Sequence, residues 1–257
     1  MNKLRFADDV VLMAENSKDL EKMINDLCRE SKRMGLHINY DKTKLLTNGS
    51  RDLIEVDGHV VEYVEEIRYL GQMIGFENRF EREIQERINS SWKSYWRVGR
   101  WMKGDLPMSL KKKLFDSIIL PTMTYGAQTW SLTADHGRKL QVCQRAMERS
   151  MLGITRKDRW RNRAIRELTK ITDVMERAKN LKWSWAGHLA RCRDDRWSRR
   201  ITEWIPLDGK RRPGGQRKRW SDEISQECGR SWPRLARDRE LWRRKWEALA
   251  QQWDIRG

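Results

Sequence analysis

Leu4-Arg5-Phe6-Ala7-Asp8-Asp9-Val10-Val11-Leu12 is the stretch on which the reading of this chain turns. Two short apolar runs, Leu4–Phe6 and Val10–Met13, flank Ala7-Asp8-Asp9, the pattern of two antiparallel strands joined by a tight turn. Adjacent carboxylates at such a turn, buttressed by apolar strands, project oxygens toward one point. Hard oxygen donors of that kind suit Mg²⁺, which keeps several waters and shares substrate phosphates. Metals paired about 3.5–4 Å apart can activate an attacking hydroxyl and stabilise a departing pyrophosphate. The plain alternative is a solvated Asp-Asp turn, and two acids by themselves favour it.

Working outward, Ser17 is placed to cap a helix whose apolar stripe is Leu20, Met23, Ile24, Leu27 and Met34, ended by Gly35. Leu36–Ile38 and Thr43–Thr47 read as strands. Asp57-Gly58, between Leu53–Val56 and His59–Val64, is the strongest hairpin signal in the chain. Ile67–Leu70 and Gln72–Ile74 form a further pair around Gly71. After Phe76 the period becomes helical, with Phe80, Ile84, Ile88, Trp92, Tyr95 and Trp96 at spacings of three and four. Leu110, Leu114, Ile118 and Ile119 continue the pattern until Pro121 interrupts, and Leu140, Cys143, Ala146, Met147 and Met151 form a stripe closed by Gly153. Thr172 is placed to cap a helix reaching about Cys192, and Asp238 one reaching Trp253. Asp208–Arg219 is a basic, glycine-rich loop too polar for a core. The predicted fold is α+β over residues 1–76, helical over 77–153, and helical, basic and Trp/Arg-rich over 154–257.

Charge divides the chain in the same way. Residues 1–90 hold 14 Lys and Arg against 18 Asp and Glu, whereas residues 91–257 hold 40 against 19. All fourteen tryptophans lie in that second part, from Trp92 to Trp253. A formal net charge of +17 calls for a polyanionic partner. No apolar run approaches the roughly 20 residues of a membrane span, and the acids in the first sixteen residues exclude a secretory signal. Cys28, Cys143, Cys192 and Cys228 form no CxxC pair, as expected of a reduced, intracellular protein.

Three segments in order carry a family resemblance. Leu4–Leu12 resembles the Tyr/Phe-x-Asp-Asp hairpin of reverse transcriptases, in the form used by non-LTR (LINE-type) retrotransposons. Gly35-Leu36-His37-Ile38-Asn39-Tyr40-Asp41-Lys42-Thr43-Lys44, with the helix before it, resembles the next palm motif, Gly-Leu-x-Ile-Asn-x-x-Lys-Thr. Ile67-Arg68-Tyr69-Leu70-Gly71 resembles the primer-grip segment. The tail is similar to the C-terminal region of these endonuclease–reverse transcriptases at Trp185–Arg191, Asp194–Trp197, Arg212–Gly215 with Arg219-Trp220, and Ala236–Arg239 with Trp242.

The resemblance implies an RNA-directed DNA polymerase, with late palm, helical thumb and basic tail acting on an RNA template, a DNA primer or target DNA, and dNTP. It makes Asp8 and Asp9 ligands of a two-Mg²⁺ site, Lys42 a candidate general acid for the departing pyrophosphate, and Tyr69, Leu70 and Gly71 the primer grip. Lys44 competes with Lys42, and Tyr69 and Leu70 read equally well as ordinary strand and core residues. Phe6 lies five residues after Met1, so the third metal-binding Asp, the fingers and the endonuclease domain are expected to be missing and the metal site incomplete. Nuclear residence would suit such an enzyme, although no compact basic cluster marks it.

The tail offers cations for phosphate at Lys111, Lys112 and Lys113 and at Lys210, Arg211, Arg212, Arg217, Lys218 and Arg219. Trp92, Trp96, Trp101, Trp183 and Trp246 read as helix-stripe core or edge residues. Trp160, Trp197 and Trp220 each stand beside an arginine and are the better candidates for base or backbone contact. His188 and Cys192, four apart, with Cys228, are too few for a zinc site. The rival to the polymerase is a non-catalytic RNA- or DNA-binding protein derived from such an element.

Overall fold

The structure, a computed structural model, describes residues 3–76, 79–192, 197–203 and 219–256. The chain divides into two compact units, Met1–Arg82 and Glu83–Gly257. The first is α+β and the second helical, as the periodicities predict.

In the first unit β1 (Lys3–Phe6) and β2 (Asp9–Leu12) pair antiparallel with Phe6 opposite Asp9. The turn is therefore two residues, Ala7 and Asp8, and Ala7 takes a left-handed φ of 50°. Helix α1 (Ser17–Arg33) is capped by Asn16, whose extended backbone lets its side chain accept the Asp19 N–H at 2.8 Å. This corrects the assignment of the cap to Ser17, whose hydroxyl instead donates to Asp52 at 2.6 Å. Ile24 and Cys28 carry the buried face of α1, and Met34, beyond its last turn, is 80% exposed rather than part of the stripe. Gly35, at φ 74°, closes the helix as expected.

Leu36–Ile38 forms no strand. The chain there runs into a turn in which Asn39 accepts the Thr43 and Lys42 amides on its carbonyl and side chain. Short strands follow: β3 (Lys44–Leu45), β4 (Glu55–Val56), β5 (His59–Val60) and β6 (Glu62–Tyr63). Asp57-Gly58, both left-handed, makes the predicted β4–β5 hairpin. That hairpin stops after two pairs because β6 leaves it to run parallel to β3. β7 (Glu66–Tyr69) and β8 (Gln72–Gly75) pair around Leu70-Gly71, again with both turn residues left-handed. Ile24, Cys28, Leu45, Ile54, Val56 and Val61 make the small core of this unit.

The second unit contains most of α2 (Arg79–Arg97), then α3 (Gly99–Lys103) and α4 (Met108–Leu114). From α4 the chain continues helically through a π-helical turn, Phe115–Ile119, into α5 (Leu120–Met123). Pro121 thus sits inside a continuous helix rather than interrupting it. A proline ring collides with the carbonyl four residues back, here that of Ser117, and the wider π turn just before it relieves that collision. Leu110 faces solvent and buried Phe115 takes its place in the core. Helix α6 (Ala134–Leu152) buries Leu140, Cys143, Met147 and Met151 and ends at left-handed Gly153, as the stripe predicts. After α7 (Asn162–Thr169), α8 (Val174–Arg191) is capped by Asp173 and not Thr172: the Asp173 carboxylate accepts the Met175 and Glu176 amides at 2.8 and 3.3 Å. Ile171, Val174 and Ala178 share one core with Leu140 and Met147, so packing runs across the division drawn at 153/154.

Helices α9 (Trp197–Glu203), α10 (Asp222–Cys228), α11 (Trp232–Leu235) and α12 (Arg239–Arg256) follow. Asp238 caps α12 through the Glu240 and Leu241 amides. A second core gathers Trp183, Ala186, Ile224, Trp232, Ala236 and Trp242. Trp96 and Trp101 lie at the surface, Trp96 beneath the Lys103 ammonium at 4.4 Å, while Trp183 is buried.

Burial pushes the Cys143 thiol up to about 12. Because only the thiolate attacks alkylating agents, Cys143 should stay unmodified by iodoacetamide at pH 8 in the folded chain and react once urea unfolds it. Mass spectrometry of the peptides checks this, and rapid labelling of the folded chain would contradict the burial.

Candidate metal hairpin and nucleic-acid interface

Asp8 sits in the β1–β2 turn and Asp9 opens β2, so the two residues are neighbours at one end of a ladder. Both are exposed rather than buttressed away from water. Among the described residues no group of three or more His, Cys, Asp and Glu side chains comes together to hold a metal. Two solvated carboxylates supply hard oxygen donors, but this donor set does not fit a two-metal centre. Lys42 is exposed in the Asn39–Thr43 turn. Tyr69 ends β7 opposite Gln72, and Leu70 and Gly71 form the left-handed turn that follows. Their placement is what a two-residue hairpin requires of any sequence.

The three consecutive lysines separate on the helix. Lys111 is buried and donates to the Met151 carbonyl at 3.2 Å, Lys112 pairs with Asp116, and Lys113 is exposed. Helical rotation of about 100° per residue points one inward, one along the boundary and one to solvent. Of the three, only Lys113 is exposed. Lys210, Arg211, Arg212, Arg217 and Lys218 lie outside the described residues; the Arg219 amide donates to Asp222 at 2.7 Å. Trp220 is fixed into the fold: its indole N–H donates to the Gln128 carbonyl at 2.6 Å and its ring packs with the second core. Trp160 and Trp197 are exposed, with the Arg200 guanidinium 5.4 Å from the Trp197 ring. Cys192 Sγ lies 3.6 Å from His188 Nε2, and no third ligand joins them among the described residues.

A groove of about 700 Å³ in the second unit escapes a search for isolated charge runs. Six cationic side chains line it against two acids. Its signal in the sequence is the spacing Arg138, Val142, Arg145, Arg149 on α6, a face distinct from the apolar stripe, together with Trp160 between two arginines. The base of the groove is a buried ion network. Arg145 donates to Glu148 and, at 2.8 Å, to Asp173, which also accepts from Arg166. Burial holds the Glu148 carboxyl above the usual range despite the opposing pull of Arg145. Beside it Gln144 spans to the next segment, donating to the Thr172 carbonyl and accepting the Val174 amide, both at 2.8 Å. At the rim Arg149 donates to Asn162 at 2.6 Å, and Arg156 and Trp160 are exposed.

The sequence model of a family described as reverse transcriptase (RNA-dependent DNA polymerase) matches residues 1–74. A Caenorhabditis elegans protein whose name describes it as transposon-derived is 31% identical over 261 residues, an alignment covering 94% of each chain. No solved structure matches the chain. No helix among the described residues is long and apolar enough to cross a membrane. Matched by the reverse transcriptase model across its α+β unit and aligned nearly end to end with that worm protein, the chain belongs to a family of transposon-derived, reverse-transcriptase-related proteins.

Proposed function

We propose that this chain is a nucleic-acid-binding protein derived from the reverse transcriptase of a non-LTR, LINE-type element, and that it does not polymerise by itself. The helical unit holds an RNA template, a DNA primer or target DNA. The observation that carries this reading is the contrast between the units: an exposed pair of acids with no third carboxylate gathered to them among the described residues, and a helical region in which cations outnumber acids about two to one. The second reading, a working RNA-directed DNA polymerase using dNTP and Mg²⁺ at Asp8 and Asp9, is favoured by the ordered palm motifs and the family match over residues 1–74.

The two readings separate in one preparation. The purified chain should bind a labelled single strand and lose about a hundredfold in affinity between 50 and 200 mM salt if about five phosphates are neutralised. Replacing Asp8 and Asp9 by alanine should leave that affinity unchanged, whereas replacing Arg211, Arg212, Arg217 and Arg219 together should weaken it. No primer extension is expected with Mg²⁺ and dNTP. Template-dependent extension abolished by the Asp8 and Asp9 substitutions would establish the polymerase instead, and binding indifferent to salt would refute the electrostatic reading. Nuclear residence goes with the proposal and is checked by imaging a tagged chain.

A further inference from the structure

We propose that the groove beside α6 seats one nucleotide of a single-stranded nucleic acid, its base against the Trp160 ring and its flanking phosphates at Arg138, Arg149 and Arg156. This rests on the nucleic-acid-binding reading above and adds a place and a strand preference to it. Four observations support it.

The first is size: about 700 Å³ lies within the range of pockets that enclose a small ligand, ample for a single nucleotide. The second is the division of labour among the cations. Arg145 and Arg166 are engaged with Glu148 and Asp173 at the base, so they fix the shape of the site. Arg149 donates to the neutral side chain of Asn162, Arg138 faces Asp135 at a loose 3.5 Å, and Arg156 is exposed. The cationic surplus therefore sits at the rim, where a backbone phosphate would arrive.

The third is Trp160 itself, which lines the same groove and is 45% exposed, whereas Trp130, Trp183, Trp232 and Trp242 are buried in the cores of this unit. A ring left at the surface among guanidinium groups offers a stacking face, and every base has a face to match it. The fourth is that the segment carrying Trp160 is held in place. Asp158 accepts both the Thr155 amide at 2.6 Å and its hydroxyl at 2.9 Å, which keeps its carboxyl below the usual range, and Arg159 turns the chain at a left-handed φ of 54°. A platform already ordered loses little conformational freedom on binding. Stacking requires an unpaired base, so the groove should favour single strands over duplex.

The test uses the whole chain and fluorescence polarisation of a labelled twelve-nucleotide single strand, a duplex of the same sequence and an unlabelled poly-glutamate competitor. Trp160→Ala should weaken single-strand binding about tenfold with an unchanged salt slope, and Trp160→Phe should restore most of it. Arg156→Ala, at an exposed position where folding is not at stake, should lower the salt slope by about 0.7, one phosphate contact. Duplex binding should respond to Arg156→Ala and hardly at all to Trp160→Ala. If the wild-type chain binds but Trp160→Ala binds equally well, the groove assignment falls and the broader reading stands. If the wild-type chain binds no nucleic acid, the broader reading falls and takes the groove with it. Displacement by poly-glutamate at the same charge concentration would show an acidic-peptide site and overturn the nucleotide assignment.

Discussion

Replacing Asp173 by alanine is expected to destabilise the helical unit by about 3–5 kcal/mol, the range for removing one partner of a buried ion pair. One oxygen of Asp173 receives Arg145 and Arg166, and the other receives the Met175 and Glu176 amides at the start of α8. Alanine removes the helix cap, worth about 1 kcal/mol, and leaves the buried Arg145 with Glu148 as its remaining ion-pair partner. Asp173→Asn keeps an oxygen for the cap and should recover about 1 kcal/mol of the loss. Urea unfolding followed by tryptophan fluorescence reports on this unit alone, because all fourteen tryptophans lie between Trp92 and Trp253. A loss below about 1 kcal/mol would mean that water or a neighbouring group readily replaces the carboxylate.

Trp242→Ala should cost a similar amount, about 3–5 kcal/mol. The Trp183 and Trp242 rings stack at 4.1 Å with an interplanar angle of 11°. Each indole N–H also donates to the other residue's carbonyl, at 3.3 and 3.0 Å. Truncation empties a cavity and removes the donor to the Trp183 carbonyl, whereas the Trp183 N–H keeps its partner, the main-chain carbonyl of residue 242. Gly187 completes the arrangement, since a Cβ there would stand 2.7 Å from the Trp242 ring. Gly187→Ala alone should therefore cost about 1–3 kcal/mol by overpacking. In the Trp242→Ala background the same methyl group enters vacated space, and its cost should largely vanish. Thermal unfolding of the four-member cycle measures that coupling; strict additivity would show that the methyl group and the ring do not meet.

What the sequence made legible was local. Asp57-Gly58 and Gly71 announce their turns because aspartate and glycine tolerate a left-handed backbone, whereas Leu70, which reads as the last residue of its strand, joins the second turn without such a sign; the α6 stripe announces itself because apolar side chains at helical spacing must face a core. The caps at Asn16 and Asp173 were displaced by one residue because neighbouring polar residues compete for the same amides, and backbone angles decide between them. Lys111 could not be told from Lys113 without knowing which helical face met Met151. Trp220 reads as available for the same reason: the Gln128 carbonyl that its N–H meets lies 92 positions away. The groove was hidden because its charged residues fall on α6 beside an apolar stripe that reads as sufficient explanation for the helix. For the acidic pair, sequence gave the turn but not its surroundings, which depend on which other chain segments gather there.

The β1–β2 hairpin has a thermodynamic consequence of its own. Among the described residues it is a two-stranded ladder that no third strand joins, and ladders of that size are marginal in water. Its amides should exchange with deuterium far faster than those of the helical cores, by local opening that leaves the rest of the molecule folded. Any partner that grips Asp8 and Asp9 selects the closed hairpin from this ensemble, so its apparent affinity is reduced by the fraction of time the hairpin is open. By the same linkage, a bound partner would slow exchange at Lys3–Leu12, and that protection would serve as a direct readout of engagement even where no chemistry follows.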